Sequence, residues 1–309
     1  MRLASQQTWA DSWIMFEPRP QNPALAALFI TIAGAFIAMT TLFAKALGSD
    51  QFGDAMHPLQ ISQGRFVFAF IALSLAAMVL RPKFNKIHWG LHLVRTSSGW
   101  LGVSLMFAAV AFIPLADATA ITFVNPVFAM MLAIPLLGER VGPIRWLAAG
   151  VAIIGAMILL RPTPATFQPA ALLAVGAALA FGFEVIFIKK LANRESPFQL
   201  LIINNLVGMG IATLAVIPFW QMPSMEQWGL LAALGVAMAC AQTCFVNGMA
   251  RADASFVAPF SYATLIFAAL YDVLFYKVIP DLVTCIGAAI IIGGAVLLAV
   301  REARHARVR

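Results

Sequence analysis

Ten apolar runs of roughly 20 residues, the length that spans the hydrocarbon core of a bilayer, fill most of the chain between residues 24 and 300. They fall at 24–46, 59–80, 93–113, 116–137, 145–160, 169–189, 199–219, 228–249, 254–275 and 281–300. Lipid offers peptide groups no water to bond to, so such segments fold as helices that satisfy their own backbone. The expected fold class is therefore an all-α membrane protein of ten transmembrane helices. Composition agrees, with 62% hydrophobic and 11% charged residues against about 25% charged in a soluble domain.

The chain is also written twice. Phe43–Leu47 (FAKAL) is answered by Phe187–Leu191 (FIKKL), Pro58, Leu59 and Gln60 by Pro197, Phe198 and Gln199, and Ala116, Asp117 and Ala118 by Ala252, Asp253 and Ala254. A duplicated membrane unit of about 140 residues suggests a transporter. Lys and Arg concentrate in alternate loops: Arg81, Lys83 and Lys86; Arg140 and Arg145; Lys189, Lys190 and Arg194; Arg251; and the tail after residue 300. Because these residues mark the cytoplasmic side, both termini are expected to be cytoplasmic. Five spans per copy is an odd number, so the second copy inserts upside down, an inverted repeat suited to alternating access. The net charge of +7 sits in loops and forms no basic stripe with interleaved aromatics, so nucleic acid is not an expected partner.

Pro114–Pro162, PLADATAITFVNPVFAMMLAIPLLGERVGPIRWLAAGVAIIGAMILLRP, resembles the fourth and fifth helices of the EamA repeat in the drug/metabolite transporter superfamily. The features that carry this are Pro126 in mid-helix, Leu137, Gly138 and Glu139 at the helix end, and a glycine-rich last span. HPLQISQGRF, His57 to Phe66, is similar to the second helix of that repeat, including Arg65. The wording is most similar to a bacterial branch that includes riboflavin and S-adenosylmethionine carriers alongside exporters of amino acids and related metabolites. The resemblance implies residues 23–162 as EamA repeat 1 and 163–300 as EamA repeat 2, flanked by a cytoplasmic tail at 1–22 and a basic tail at 301–309. It implies a bacterial inner-membrane protein whose central cavity is lined by the first, third, fourth, sixth, eighth and ninth helices, with the second and seventh flanking. A lipid bilayer and a small-molecule substrate are the implied partners; a coupling proton or exchanged metabolite and a homodimer stay open. The copies differ: Tyr276 and Lys277 stand where the first has Gly138 and Glu139, and Asn204 where it has Arg65.

Glu184 lies well inside a span, where a charge costs on the order of 3 kcal/mol. It either meets a cationic substrate group or coupling proton in a cavity, or snorkels toward Lys189 and Lys190. Counting about 1.5 Å per residue puts Arg65 and Glu184 roughly 12 Å apart in depth, so no direct ion pair is expected. Arg65 then either ties helices together through carbonyls or anchors an anionic substrate group. The other candidate substrate contacts are Thr40, Thr41, Trp100, Ser104, Phe107, Thr122, Asn125, Phe183, Gln242, Thr243, Asn247, Ser261 and Tyr262. Asn125, Gln242 and Tyr262 rank first because one helix satisfies large polar groups poorly. Asn125 also precedes Pro126, whose missing N–H leaves a carbonyl open on the same helix. Ser and Thr commonly bond their own backbone, and Trp100 and Phe107 either stack on a planar ligand or pack between helices.

Asp117 and Asp253 read as helix N-caps; Asp272, among Tyr271 and Tyr276, reads as a gate or a hydrated rim residue; Glu139 reads as structural. His57, His88, His92 and His305 are expected in loops or tails, so no buried histidine relay is anticipated. Cys240, Cys244 and Cys285 sit in apolar runs and read as buried small side chains, not as a disulfide or metal site. The tail at 1–22 has no apolar signal-peptide core and reads as a retained segment lying at the interface. No phosphate loop, HExxH or Ser/His pairing occurs, so a secondary transporter without cofactor is expected, not an enzyme. A non-transporting membrane sensor would need a larger loop or tail than this chain offers.

Overall fold

The computed structural model describes residues 21–308 except 83, 85, 111, 113, 114, 161–168, 170 and 278–280. The tail expected at 1–20 lies outside the described residues, as do the side chains of Phe107, Asp117, Asp272 and Tyr276 and those after residue 300. Among the described residues every regular element is helical: α1 (Pro23–Leu47), α2 (Pro58–Leu80), α3 (Trp89–Val110), α4 (Leu115–Thr122), α5 (Asn125–Leu137), α6 (Pro143–Leu160), α7 (Ala171–Ala192), α8 (Pro197–Val216), α9 (Met225–Met249), α10 (Ala254–Val257), α11 (Ala263–Tyr276) and α12 (Leu282–Val308). Six helical stretches among these residues are long and apolar enough to cross a membrane, and shorter apolar helices accompany them.

Two expected spans are not continuous. The run at 116–137 breaks between Thr122 and Asn125, giving α4 and α5, and the run at 254–275 passes through a 3-10 stretch at Ala258–Tyr262 between α10 and α11. Proline is the cause in both copies. Pro126 and Pro259 have no N–H to give to the preceding turn. At the first break Asn125 Nδ2 donates to the Thr122 carbonyl at 2.9 Å, filling the position that Pro126 leaves vacant.

Local chemistry sets the other helix ends. Asn22, Ser196 and Ser224 cap α1, α8 and α9, the last as a reciprocal capping box with Gln227. Gly138 closes α5 at φ 69°. Lys277 takes φ 55° directly after α11. The backbone counterpart of Gly138 is therefore Lys277, one residue from the pairing with Tyr276 read off the sequence.

Helix packing is reciprocal and runs mostly between the two copies. α1 packs on α9, and α7, its counterpart, packs on α3; α1 meets α11 as α7 meets α5; α2 lies against α8 and α6 against α12. Two of the repeated anchors occupy matching places, Phe43–Leu47 and Phe187–Leu191 at the ends of α1 and α7, and Pro58 and Pro197 opening α2 and α8. Apolar side chains gain little by meeting one another in lipid, so such crossings depend on backbones coming close at small residues. At the α6–α12 crossing a Cβ on Gly155 would lie 2.9 Å from the Gly287 carbonyl oxygen and 2.8 Å from Ile291. Gly155→Leu should therefore push α12 off α6 and destabilise the protein by about 1–3 kcal/mol. Thermal unfolding in detergent checks this, Gly150→Leu being the control because nothing lies within 4 Å of its Cβ position.

Candidate functional site

A cavity of about 120 Å³ lies between the copies. Its walls come from α2 (Leu59, Ser62, Arg65, Phe66), α3 (Thr96, Gly99, Trp100, Val103, Ser104), α7 (Phe181, Glu184), α8 (Asn204, Gly208, Ile211) and α9 (Gln242). The second and seventh spans, expected only to flank, thus supply much of this cavity's lining, and among the described residues the first, fourth and ninth supply none of it. Asn125 is occupied at the Pro126 break, where it bonds the Thr122 carbonyl.

Five sequence candidates meet in this cavity: Glu184, Arg65, Trp100, Ser104 and Gln242. Glu184 does not snorkel. Lys189 instead donates to the carbonyls of Met249 and Ala252 at 2.7 and 2.5 Å, and Lys190 lies over the Phe187 ring. The Glu184 carboxylate rests on α3 at Gly99, where an added Cβ would stand 2.8 Å from Oε2 and would displace the carboxylate. Arg95 and Arg65 are the cations whose charge it feels. No ion pair joins Glu184 to Arg65 among the described residues, although both line the same cavity. Arg65 finds no carbonyl partner there either, and its guanidinium lies 4.2 Å from the Phe66 ring centroid. The reading of Arg65 as a tie between helices through carbonyls is therefore set aside in this conformation.

The remaining candidates lie elsewhere. Tyr262 is fully buried against Ala152, Ala156, Leu265 and Ile291, with no partner for its hydroxyl among the described residues. Thr40 and Thr41 both bond the Ile37 carbonyl, and Thr122 and Thr243 bond Thr119 and Ala239 in the same way. Asn247 donates to the Thr243 carbonyl and accepts from Arg251. Phe183 and Ser261 do not line the cavity, and the Phe107 side chain lies outside the described residues.

Sequence reading missed Thr96, Asn204 and Arg95. Thr96 Oγ1 donates to Asn204 Oδ1 at 3.3 Å, and Asn205 Nδ2 donates to Gln242 Oε1 at 2.7 Å. Arg95 is buried and reaches the Leu200 carbonyl at 3.4 Å. For Thr96 the missed signal was a helical stripe: His92, Thr96, Trp100 and Ser104 follow one another at four-residue steps along α3.

The expectation of no buried histidine also fails. α3 begins a turn earlier than the apolar run, so His92 lies inside it and is 0% exposed. His92 Nε2 donates to Glu195 Oε2 at 2.9 Å, while His88 donates to Oε1 through its backbone N–H at 2.7 Å and through Nδ1 at 2.9 Å. Gln199 Nε2 adds a bond to Oε2 at 2.8 Å. Burial opposes ionisation of Glu195, but the hydrogen bonds from His92 and His88 outweigh it and hold the carboxyl down at about 2. An ionised Glu195 only accepts, so both imidazoles donate to it. This agrees with His92 Nδ1 having no partner among the described residues.

Other polar residues do structural work. Glu139 accepts from the backbone N–H groups of Ala254 and Ser255 and from the Ser255 hydroxyl, capping α10 from the end of α5. Asp253, expected to be that cap, holds the cap position without a side-chain cap bond and pairs with Arg145 at 3.0 Å instead. Asp117 lies inside the first turn of α4. Cys240 and Cys244 are half-buried but Cys285 is exposed, contrary to the expected burial.

The Glu195 network implies a pH dependence. A carboxyl whose folded value is depressed adds stability above its ordinary value near 4.5, and that stability is lost as pH falls toward about 2. Wild type should lose on the order of 3 kcal/mol between about pH 5 and 2 from this group. In detergent melts the difference between wild type and Glu195→Gln should shrink across that window.

The comparisons agree with this architecture. A solved crystal structure superimposes with TM-score 0.74 at 23% identity, over 88% of this chain and 97% of its own. The riboflavin transporter of Vibrio cholerae is 32% identical over 288 residues, 93% of this chain and 96% of that protein. The S-adenosylmethionine uptake transporter of Rickettsia bellii is 27% identical over 91% of this chain and 97% of its own length. The pseudopaline exporter of Pseudomonas aeruginosa is 28% identical over 67% and 73%. The EamA-like transporter family model matches twice, at residues 24–161 and 168–300. Two copies of one membrane unit, packed reciprocally around a polar cavity, fit that result, and the chain belongs to the EamA-like transporter family, a multi-pass membrane protein of the drug/metabolite transporter superfamily.

Proposed function

We propose that this protein is an inner-membrane secondary transporter that carries a zwitterionic or cationic metabolite related to amino acids or nucleosides by alternating access between two inverted halves. One observation carries the reading: Glu184 and Arg65, opposite in charge and unpaired with each other, share a cavity walled by both copies. A buried carboxylate is costly, and a substrate ammonium would offset that cost as a charge-assisted hydrogen bond. A substrate carboxylate suits the planar fork of Arg65 in the same way. Phe66, Trp100 and Phe181 supply aromatic surface beside these groups. The cavity is smaller than the roughly 300 Å³ at which pockets for drug-sized ligands begin, so a larger substrate enters only with movement of the walls. Reciprocal packing of the copies supports that movement as an exchange of equivalent arrangements.

The repeated pattern of basic loops supports cytoplasmic termini. Direction of flux is a separate matter, and likeness to an exporter keeps a broad-specificity amino-acid or metabolite exporter as the second reading.

Glu184→Gln should reach the membrane folded and lose saturable transport about 10–100-fold, the worth of one charged hydrogen bond. The measurement is thermal shift of purified protein with amino acids, S-adenosylmethionine, riboflavin, nucleosides, polyamines and organic acids, on wild type, Glu184→Gln and Arg65→Gln. Stabilisation that needs Glu184 supports the reading. Stabilisation by anions that ignores Glu184 and needs Arg65 overturns the charge assignment.

A further inference from the structure

The Pro-x-Gln motif stands at a clasp between the copies at each end of α2, Gln60 bonding across directly and Gln199 through Glu195 of its own copy. At one end Gln60 Nε2 donates to the Gln221 carbonyl at 2.5 Å, and Gln221 N–H returns a bond to Gln60 Oε1 at 3.2 Å. Ser224 and Gln227 bond the Phe52 and Asp54 carbonyls close by. Here the loop before the second helix of one copy grips the loop before the third helix of the other. At the opposite end the relation is mirrored: Gln199 opens α8, and the loop before it carries Glu195, which grips His88 and His92 at the start of α3. Gln60 and Gln199 are the matched residues of the repeat, and both are buried.

The cavity lies between these two clasps. From it toward Glu195 runs a column of buried polar contacts, first Thr96 with Asn204, then Arg95 with the Leu200 carbonyl, then Glu195 with His92. An apolar plug of equal volume would close this route at lower desolvation cost, so the polar column suits a route that opens and recloses. The clasps also differ in chemistry. One is built from amides and backbone; the other centres on a carboxylate that accepts four hydrogen bonds, from His88 twice, His92 and Gln199.

We infer that Glu195 with His88 and His92, and Gln60 with Gln221, are two latches that close the cavity alternately from opposite membrane faces. The inference rests on the alternating-access reading above. Opening of either face separates a loop of one copy from a loop of the other, and each latch spans that joint.

The test uses full-length protein with Cys240, Cys244 and Cys285 replaced by alanine and Ser104→Cys as the reporter in the cavity. A membrane-impermeant maleimide is applied to sealed right-side-out and inside-out vesicles. Glu195→Ala should raise reporter labelling from the Glu195 face about five- to tenfold, within the usual range of coupling between two states, and lower it from the other face. Gln60→Ala should do the reverse. His92→Gln, which still donates to Glu195, should keep the wild-type pattern, whereas His92→Leu should match Glu195→Ala. If Glu195→Ala does not reach the membrane, Gln199→Ala carries the same expectation. Labelling that changes equally from both faces, or not at all, overturns the latches and leaves transport through the cavity intact. A reporter that labels from neither face in the parent protein overturns the alternating-access reading itself, and the latches with it.

Discussion

Close approach of helices from different copies is the interaction on which everything else here depends. Lipid gives apolar side chains no reason to leave it, so cohesion comes from van der Waals contact where backbones meet at glycine and alanine. Those meetings lie between the copies, α1 with α9, α7 with α3, α6 with α12. The cavity follows as a consequence, because it occupies the joint between two units that hold each other more than they hold themselves. The alternating-access reading proposed above needs a joint of this kind, since it requires the two copies to move against each other around the cavity.

That joint also explains how charge survives at this depth. Glu184 sits on Gly99 because α3 and α7 pack closely enough for a carboxylate to replace a methyl group. Its neighbours Arg65 and Arg95 share the same region of α2 and α3. Buried charges of opposite sign without direct pairing are costly for a structure that only needs to be stable. They fit the substrate contacts proposed above.

The polar residues away from the cavity divide by task in a way their types do not announce. Glu139 and Glu195 each follow the end of a helix in a short loop, and each bonds across to the other copy. Glu139 fixes the start of α10 by accepting backbone N–H groups. Glu195 accepts one backbone N–H, from His88, and adds two imidazoles and an amide, partners that side-chain rotation can release. Asp253 loses its expected capping role because Glu139 reaches the same donors with two oxygens and Arg145 draws the aspartate aside.

Much of the fold was legible because its causes are local. Apolar length determined the helices, although the breaks at Pro126 and Pro259 were not foreseen, and repeated phrases such as Pro58–Gln60 and Pro197–Gln199 announced two copies of one unit. Glu184 stood out by the cost of its burial alone. Tertiary structure decided which side chains meet. His92 and Glu195 lie 103 residues apart, Thr96 and Asn204 108, and nothing in the spacing along a single helix says that these will touch. It also decided that Tyr262, with its large polar group, would be buried among apolar neighbours, while the inconspicuous Thr96 and Asn204 would line the cavity. The physical reason is one of range. Hydropathy and backbone propensity act over a turn or two of helix, whereas the rotation of each helix about its axis is set by how it packs against a helix from the other copy.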